Sequence, residues 1–212
     1  ELPDGYFYKV GRPNVALKVS EIQSIGTVSD KKTVLYAPTW EGAHSDSSYS
    51  SVLVMMEQLL ERLVATGLRV VVRLHPFTGS NDEEFTDKIG ELKLKYQNNE
   101  SVIFDSESDI YLQMNQSDML ISDVSSVISD YLYFNKPIYI TNPHDDELFE
   151  ETFPIAKCCN ILLKNNTTYY FNNGVALDER EAVRIDYRQY VMGDSPEKAF
   201  SLFHSALYSL AE

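Results

Sequence analysis

Between residues 33 and 141, short apolar runs alternate with longer segments whose apolar positions recur every three or four residues. "TVLYAP" (33–38) reads as a buried strand ended by Pro38. The spacing in "VLVMMEQLLERLVATG" (52–67) predicts a helix, with Gly67 as its C-cap. "LRVVVRL" (68–74) is apolar apart from Arg69 and Arg73, as suits a central strand covered on both faces. A polar-faced helix over 82–96 follows, then the strand "SVIF" (101–104) and the short helix "DIYLQMN" (109–115). "DMLIS" (118–122) predicts another strand, "SVISDYLYFN" (126–135) a helix and "PIYI" (137–140) a strand. The alternation predicts an α/β fold, a Rossmann-like parallel sheet of about five strands with helices on both faces.

Past Pro143 the pattern loosens. "HDDELFEE" (144–151) reads as helical, "CNILL" (159–163) as an edge strand or an apolar loop, and "NNTTYYFNNG" (165–174) as punctuation. Terminal helices are expected over 178–190 and 196–211. The second opens on Ser195-Pro196-Glu197 and carries Phe200, Phe203, Leu207 and Leu210. The 178–212 segment is therefore expected to pack on the sheet or on a neighbouring domain. No repeat interrupts the chain, and residues 1–212 read as one domain.

Composition narrows the function classes. The 32 acidic residues outnumber 18 Lys and Arg, a net charge of −14, which argues against a nucleic-acid surface. A single nucleotide held in a local pocket is compatible with it. No apolar run approaches the roughly 18 residues of a membrane span, and no basic amphipathic helix marks a membrane surface. Cys158 and Cys159 are adjacent, which suits neither a disulfide framework nor zinc, so a reducing cytoplasm is expected. The opening "ELPDGYFYKVGRPN" has neither an initiator Met nor a signal-peptide profile, so a piece of a longer protein is expected.

In doubly wound sheets ligands gather beyond the carboxyl ends of the strands, and three polar clusters fall there. One is Pro38-Thr39-Trp40-Glu41-Gly42, where Trp40 could wall a pocket. The second holds Arg73, His75 and Pro76, then Thr78-Gly79; His75, with an ordinary pKa near neutrality, suits donation to a phosphoryl oxygen or proton exchange. Arg73 lies two residues back on the same side of the strand, so both could reach one anion. The third is Ser122-Asp123 with Ser125-Ser126. A helix beginning there offers N–H groups and a dipole to a phosphate, but the same residues serve equally as an ordinary N-cap. His44 and His144 sit in polar segments, and His204 falls on an apolar helical face expected to pack. Asp145-Asp146 and "DSESD" (105–109) read as solvated acids, and Asp130 as a helix-surface residue. The histidines lack metal spacing, so no metal is expected and a divalent cation has no ligand set to support it. There is no G-x-S-x-G elbow, P-loop or dinucleotide fingerprint.

Taken in order, "YKVGRPN", "TVLYAPTW", "VVVRLHP" and "MLISDVSSVISDYLYFNKPI" resemble the C-terminal half of the CDP-glycerol glycerophosphotransferase family, over about residues 9–150. Its members build teichoic acids and related wall or capsule polymers. The resemblance implies one half of a GT-B-like fold that holds a CDP-alcohol donor. An acceptor hydroxyl on a polyol-phosphate or glycan polymer attacks the β-phosphorus and CMP leaves; no cofactor is implied. The family's second catalytic histidine falls on His75, and its paired serines fall on Ser125 and Ser126, as a diphosphate grip. Arg73, Thr39, Trp40, Ser122 and Asp123 complete the expected donor site, with Asp123 expected to order the turn, because a carboxylate aimed at the phosphate would repel it. The acceptor-side histidine belongs to an "HGT" stretch of an N-terminal domain and has no counterpart in this sequence. The "YKVGRPN" segment also departs from the family's Gly-x-Pro-Arg order, and "FNNGVALDEREAV" matches poorly where the family contacts the donor alcohol. The polymer would place the whole enzyme at the inner face of the membrane. A UDP-sugar glycosyltransferase of the same fold, and a non-catalytic nucleotide-binding domain, remain alternatives, because a helix end binds any diphosphate.

Overall fold

The computed structural model describes residues 8–22, 30–42, 48–106, 109–172 and 175–209. The chain enters through α1 (Pro13–Ile22) and then builds β1 (Thr33–Ala37), α2 (Met56–Ala65), β2 (Arg69–Val72), α3 (Glu83–Tyr96) and β3 (Val102–Phe104). The second half runs α4 (Ile110–Gln116), β4 (Met119–Ser122), α5 (Ser126–Tyr131), β5 (Ile138–Thr141), α6 (Phe149–Thr152) and β6 (Asn160–Leu162). A short α7 (Thr167–Tyr170) leads into the hairpin of β7 (Phe171–Asn172) and β8 (Val175–Ala176), and α8 (Glu181–Met192) and α9 (Ala199–Ser209) complete the described chain.

The sheet order is β3-β2-β1-β4-β5-β6, and every pairing in it is parallel. Because side chains alternate across a strand, β1 sends Val34 and Tyr36 to one face and Leu35 and Ala37 to the other. The first face packs under α2 and α3 through Leu59, Leu60, Leu63, Phe85 and Ile89. The second packs under α4, α5 and α8 through Met114, Ile128, Tyr131 and Met192. All five residues of β1 and all four of β4 are buried, which is why these runs carry no polar alternation.

Several elements depart from expectation. The sheet has six strands, because "CNILL" supplies the parallel edge strand β6. The expected helix over 126–135 stops at Tyr131, closes in a 3₁₀ turn over Leu132–Phe134 and ends with Asn135 at φ 51°. Helix α1 was not read, although Pro13 at its first turn and the buried Val15, Ala16 and Val19 are its signals. The last helix packs on α1 by its small residues: Ala199 and Ala206 are buried, whereas Phe200, Phe203 and Leu207 stay 40%, 40% and 50% exposed. This face, expected to pack on the sheet or on a neighbouring domain, does not cover the sheet; Leu210 lies outside the described residues.

The order places β1 beside β4, the switch point at which the chain has gone out to β3 and returned to the other side. Asp123, directly after β4 and fully buried, ties this point together. Its Oδ2 accepts from the backbone N–H of Thr39 at 2.8 Å and of Ser51 at 3.1 Å, and its Oδ1 accepts from the Thr141 hydroxyl. Ser51 in turn shares a 2.6 Å hydrogen bond with the buried Tyr36 hydroxyl. Burial pushes the Asp123 carboxyl up to about 6, against the downward pull of these hydrogen bonds.

Replacing Asp123 by Ala leaves three donors without their partner and is expected to cost about 3 kcal/mol or more. That corresponds to a Tm lower by roughly 6–12 °C, measurable by calorimetry. Since the folded carboxyl titrates above its unfolded value, the native state binds the extra proton. Its contribution to stability is therefore largest in acid and declines as pH rises from about 4 through about 6. The stability gap between wild type and Asp123→Asn, followed by urea unfolding, is expected to narrow over that window.

Candidate functional site

The carboxyl ends of β1, β2 and β4 open onto a hollow of about 230 Å³, lined in part by Pro38, Arg73, His75, Pro76, Ile110 and Ser125. Two of the three polar clusters, those of Arg73/His75 and Ser125, thus share one wall-to-wall space. Pro38 stops β1 at its edge, and Pro76 keeps the chain from continuing β2 past His75.

His75 is partly exposed and held on several sides. Its Nδ1 accepts from the backbone N–H of Phe77 at 3.2 Å. The Trp40 indole stacks on the imidazole with centroids 5.9 Å apart and planes 18° from parallel, and Phe77 leans against both rings. Burial lowers the His75 pKa below its ordinary value, while the charge of Glu41 pulls it upward without prevailing. The ring is therefore neutral at neutral pH, and Nε2 is left as its donor.

Arg73 is committed to a partner that the sequence reading took for a solvated acid. Its Nη1 lies 2.7 Å from Asp105 Oδ2, with side chains only 14% and 7% exposed. The Gln113 amide donates to the other Asp105 oxygen at 3.3 Å. Arg73 thus reaches the hollow as half of an ion pair, its guanidinium fixed by Asp105.

Around the third cluster the residues divide. Ser125 caps α5, its hydroxyl accepting from the Val127 N–H at 3.3 Å, and Ser126 is exposed at the first position of the helix. Ser122 and Asp123 are correctly located at the end of β4 but fully buried beneath the hollow. Ser122 donates to the Ala37 carbonyl at 2.7 Å, and the Asp123 oxygens are used as described above. Both are thus buried and hydrogen-bonded within the protein. Thr39 likewise frames the site with its main chain, donating to Asp123 and accepting from the Ser50 hydroxyl at 2.8 Å. Trp40 walls the His75 ring rather than the hollow itself.

Glu41, read only as one member of its cluster, ties the two loops of the rim. It is 2% exposed and accepts from the backbone N–H of Gly79 at 2.9 Å and of Asn81 at 2.8 Å. Its neighbour Gly42 accepts from the Asn81 amide at 3.0 Å. A buried acid after a strand-ending Pro-Thr-Trp was the only sequence signal for it.

The other candidates lie elsewhere. His144 bonds the Ser48 carbonyl at 2.7 Å and meets Tyr49 edge-on, so it anchors a loop. His204 is exposed beside Tyr208 rather than packed, and His44 lies outside the described residues. Asp130 is not a free surface acid: it pairs with Arg12 and accepts from the Tyr111 hydroxyl at 3.0 Å. Asp109 caps α4, and Asp146 accepts from the Leu148 N–H at 2.9 Å. Cys158 and Cys159 are buried free thiols. Among the described residues no cluster of three or more His, Cys, Asp or Glu is arranged to hold a metal ion.

The chain is 26% identical over 148 residues to the teichoic acid poly(glycerol phosphate) polymerase of Bacillus spizizenii, covering 69% of this chain and 34% of that protein. It is 28% identical over 137 residues to the teichoic acid ribitol-phosphate polymerase TarL of Staphylococcus aureus, covering 60% and 23%. The chain thus spans about a third or less of the curated relatives it matches. In fold, it superposes along its whole length on 54% of a wall teichoic acid polymerase TagF variant soaked with CDPG, with a TM-score of 0.59 at 18% identity. A second TagF structure matches with a TM-score of 0.55 at 17% identity, over 96% of this chain and 53% of that one. The fold is thus the GT-B-like parallel sheet with flanking helices that the sequence predicts. The profile described as CDP-Glycerol:Poly(glycerophosphate) glycerophosphotransferase matches residues 14–152, which carry the whole hollow and both loops of its rim, and the chain belongs to that family.

Proposed function

We propose that residues 8–209 form the donor-binding half of a glycerophosphotransferase-like enzyme, which transfers an alcohol phosphate from a CDP-alcohol, CDP-glycerol foremost, to a hydroxyl of a growing wall or capsule polymer. CMP is released. The observation that carries this reading is the meeting of Arg73, His75 and Ser125 on one hollow at the β1/β4 switch point, inside the span that matches the family. The two curated relatives are named for glycerol-phosphate and ribitol-phosphate polymers, so the polyol is a glycerol or ribitol class.

Each residue has a part in this reading. At the start of α5 Ser125 takes the Val127 and Ile128 N–H groups, and the N–H and exposed hydroxyl of Ser126 receive the diphosphate. His75 sits across the hollow with its Nε2 as a donor for the phosphate that departs. Arg73, steadied by Asp105, offers its remaining N–H groups to the same anion. The base that takes the acceptor's proton belongs to a complementary N-terminal half, as does the grip on the polymer. No helix among the described residues is long and apolar enough to cross a membrane. Residence at the inner membrane face would follow from the polymer substrate and from that other half.

Titration calorimetry of this chain with CDP-glycerol, CDP-ribitol and a UDP-sugar is expected to show saturable binding of at least one CDP-alcohol, tighter than the UDP-sugar. Failure of every cytidine ligand with a folded domain would remove the donor-site reading. In a protein that also carries the acceptor-side half, His75→Ala is expected to lower kcat by about 10²–10³-fold, the usual worth of one donor aimed at developing charge. Near-normal turnover would remove His75 from the mechanism.

A further inference from the structure

We propose that Glu41 is a positioning residue for His75: it locks the rim so that the imidazole is held as its Nε2–H tautomer and serves the departing phosphate as a neutral hydrogen-bond donor, not as a proton donor. The inference rests on the donor-site reading above and adds the protonation state at which that site works.

Glu41 is the strut between the loop after β1 and the loop after β2. Each of its carboxylate oxygens takes a different backbone N–H of the second loop, Gly79 on one and Asn81 on the other. Burial would push its pKa up, but the N–H groups of Asn81 and Gly79 outweigh this and hold it below the usual carboxylate range, so the strut stays charged. The far side of the loop is pinned as well. Gly79 adopts φ +82°, and a Cβ there would lie 2.3 Å from the Thr86 hydroxyl of α3, so the loop rests directly on that helix. Between these anchors the chain turns tightly, with Thr78 N–H on the His75 carbonyl at 2.9 Å and Ser80 N–H on the Phe77 carbonyl at 3.0 Å.

That turn aims the Phe77 N–H at His75 Nδ1. A nitrogen that accepts a hydrogen bond holds a lone pair, so the ring proton sits on Nε2. Protonating Nδ1 would set two N–H groups against each other inside a loop that Glu41 does not let open. The residue before the strut, Trp40, covers the imidazole face, so the pair Trp40-Glu41 fixes both the plane and the tautomer of His75.

A neutral donor suffices for this leaving group. As the acceptor oxygen bonds to the β-phosphorus, the bond from that phosphorus to the bridging oxygen breaks and its electron pair stays on the bridging oxygen of CMP. The new terminal oxygen belongs to a phosphate monoester, whose second pKa is about 6, so it leaves unprotonated near pH 7. The hydroxyl proton goes to a general base on the acceptor side, and none passes through His75.

Long-range ¹H–¹⁵N NMR of the histidines in this chain tests the inference, with His75→Gln identifying the resonance. Expected at pH 7 are an unprotonated Nδ1 and a protonated Nε2, with the Nε2 proton moving downfield on addition of CDP. Glu41→Gln is expected to raise the Nδ1–H population several-fold and to weaken CDP about tenfold, the worth of one hydrogen bond to a charged group. If Glu41→Gln does not fold, Asn81→Ala removes only the tie to Gly42 and is expected to shift the tautomer in the same direction, less far. A wild-type ring protonated on Nδ1, an unchanged tautomer in the folded variants, or an Nε2 proton unmoved by bound CDP would each overturn it. Absence of CDP binding to a wild-type chain with the Nε2–H tautomer would instead overturn the donor-site reading and leave Glu41's hold on His75 standing.

Discussion

The architecture depends on a buried carboxylate at the point where the sheet changes direction. A parallel sheet of this order leaves β1 and β4 as neighbours whose following loops diverge, opening a crevice lined by backbone N–H groups with no strand to bond them. Asp123 supplies acceptors for two of these, on Thr39 and Ser51, and draws in the Thr141 hydroxyl from β5. One side chain thereby joins the ends of β1, β4 and β5 to the entry of α2. A hydrophobic residue would fill the volume but leave those donors unpaired, and an unpaired buried N–H costs more than the packing returns.

A second buried carboxylate repeats the device at the rim. Glu41 does for the β2 loop what Asp123 does beneath it, taking two backbone N–H groups that the tight turn cannot satisfy internally. The two acids differ in consequence. Asp123 is surrounded by sheet and is pushed up in pKa by burial, whereas Glu41 is held down by the amides it accepts. Both therefore stabilise loop geometry around the hollow.

The charge pattern bears on the proposed anion site. With a net charge of −14, long-range attraction for a phosphate is not available. What the hollow offers is local and oriented: a helix start, an imidazole N–H and a guanidinium whose partner fixes its direction. Such groups act at contact distance, where a low-dielectric wall of Pro38, Pro76 and Ile110 strengthens them.

Much of the fold was legible because it rests on local periodicity. The runs at β1, β2, β4 and β5 are apolar on both faces, and only a covered parallel sheet buries both. The helices over 82–96 and 109–115 form where the polar-to-periodic switch places them, although the capping roles of Asp82 and Asp109 were not anticipated. His75 after a strand, and Ser125-Ser126 at a helix start, were readable for the same reason, since strand ends define one side of the sheet. Pairings between distant segments were not. Arg73 with Asp105, Asp130 with Arg12, and Glu41 with Gly79 and Asn81 each join residues whose approach depends on how loops fold over the sheet. For Ser122 and Asp123 the chain order shows that they close a strand, but not that both are fully buried. The five inner and leading strands β1 to β5, the helices between them and the crevice side were thus determined by sequence alone, through hydrophobic periodicity and helix-start chemistry. The depth of each polar residue, and the partners it bonds, were decided only by tertiary packing, because burial and hydrogen-bond partners are properties of the assembled sheet.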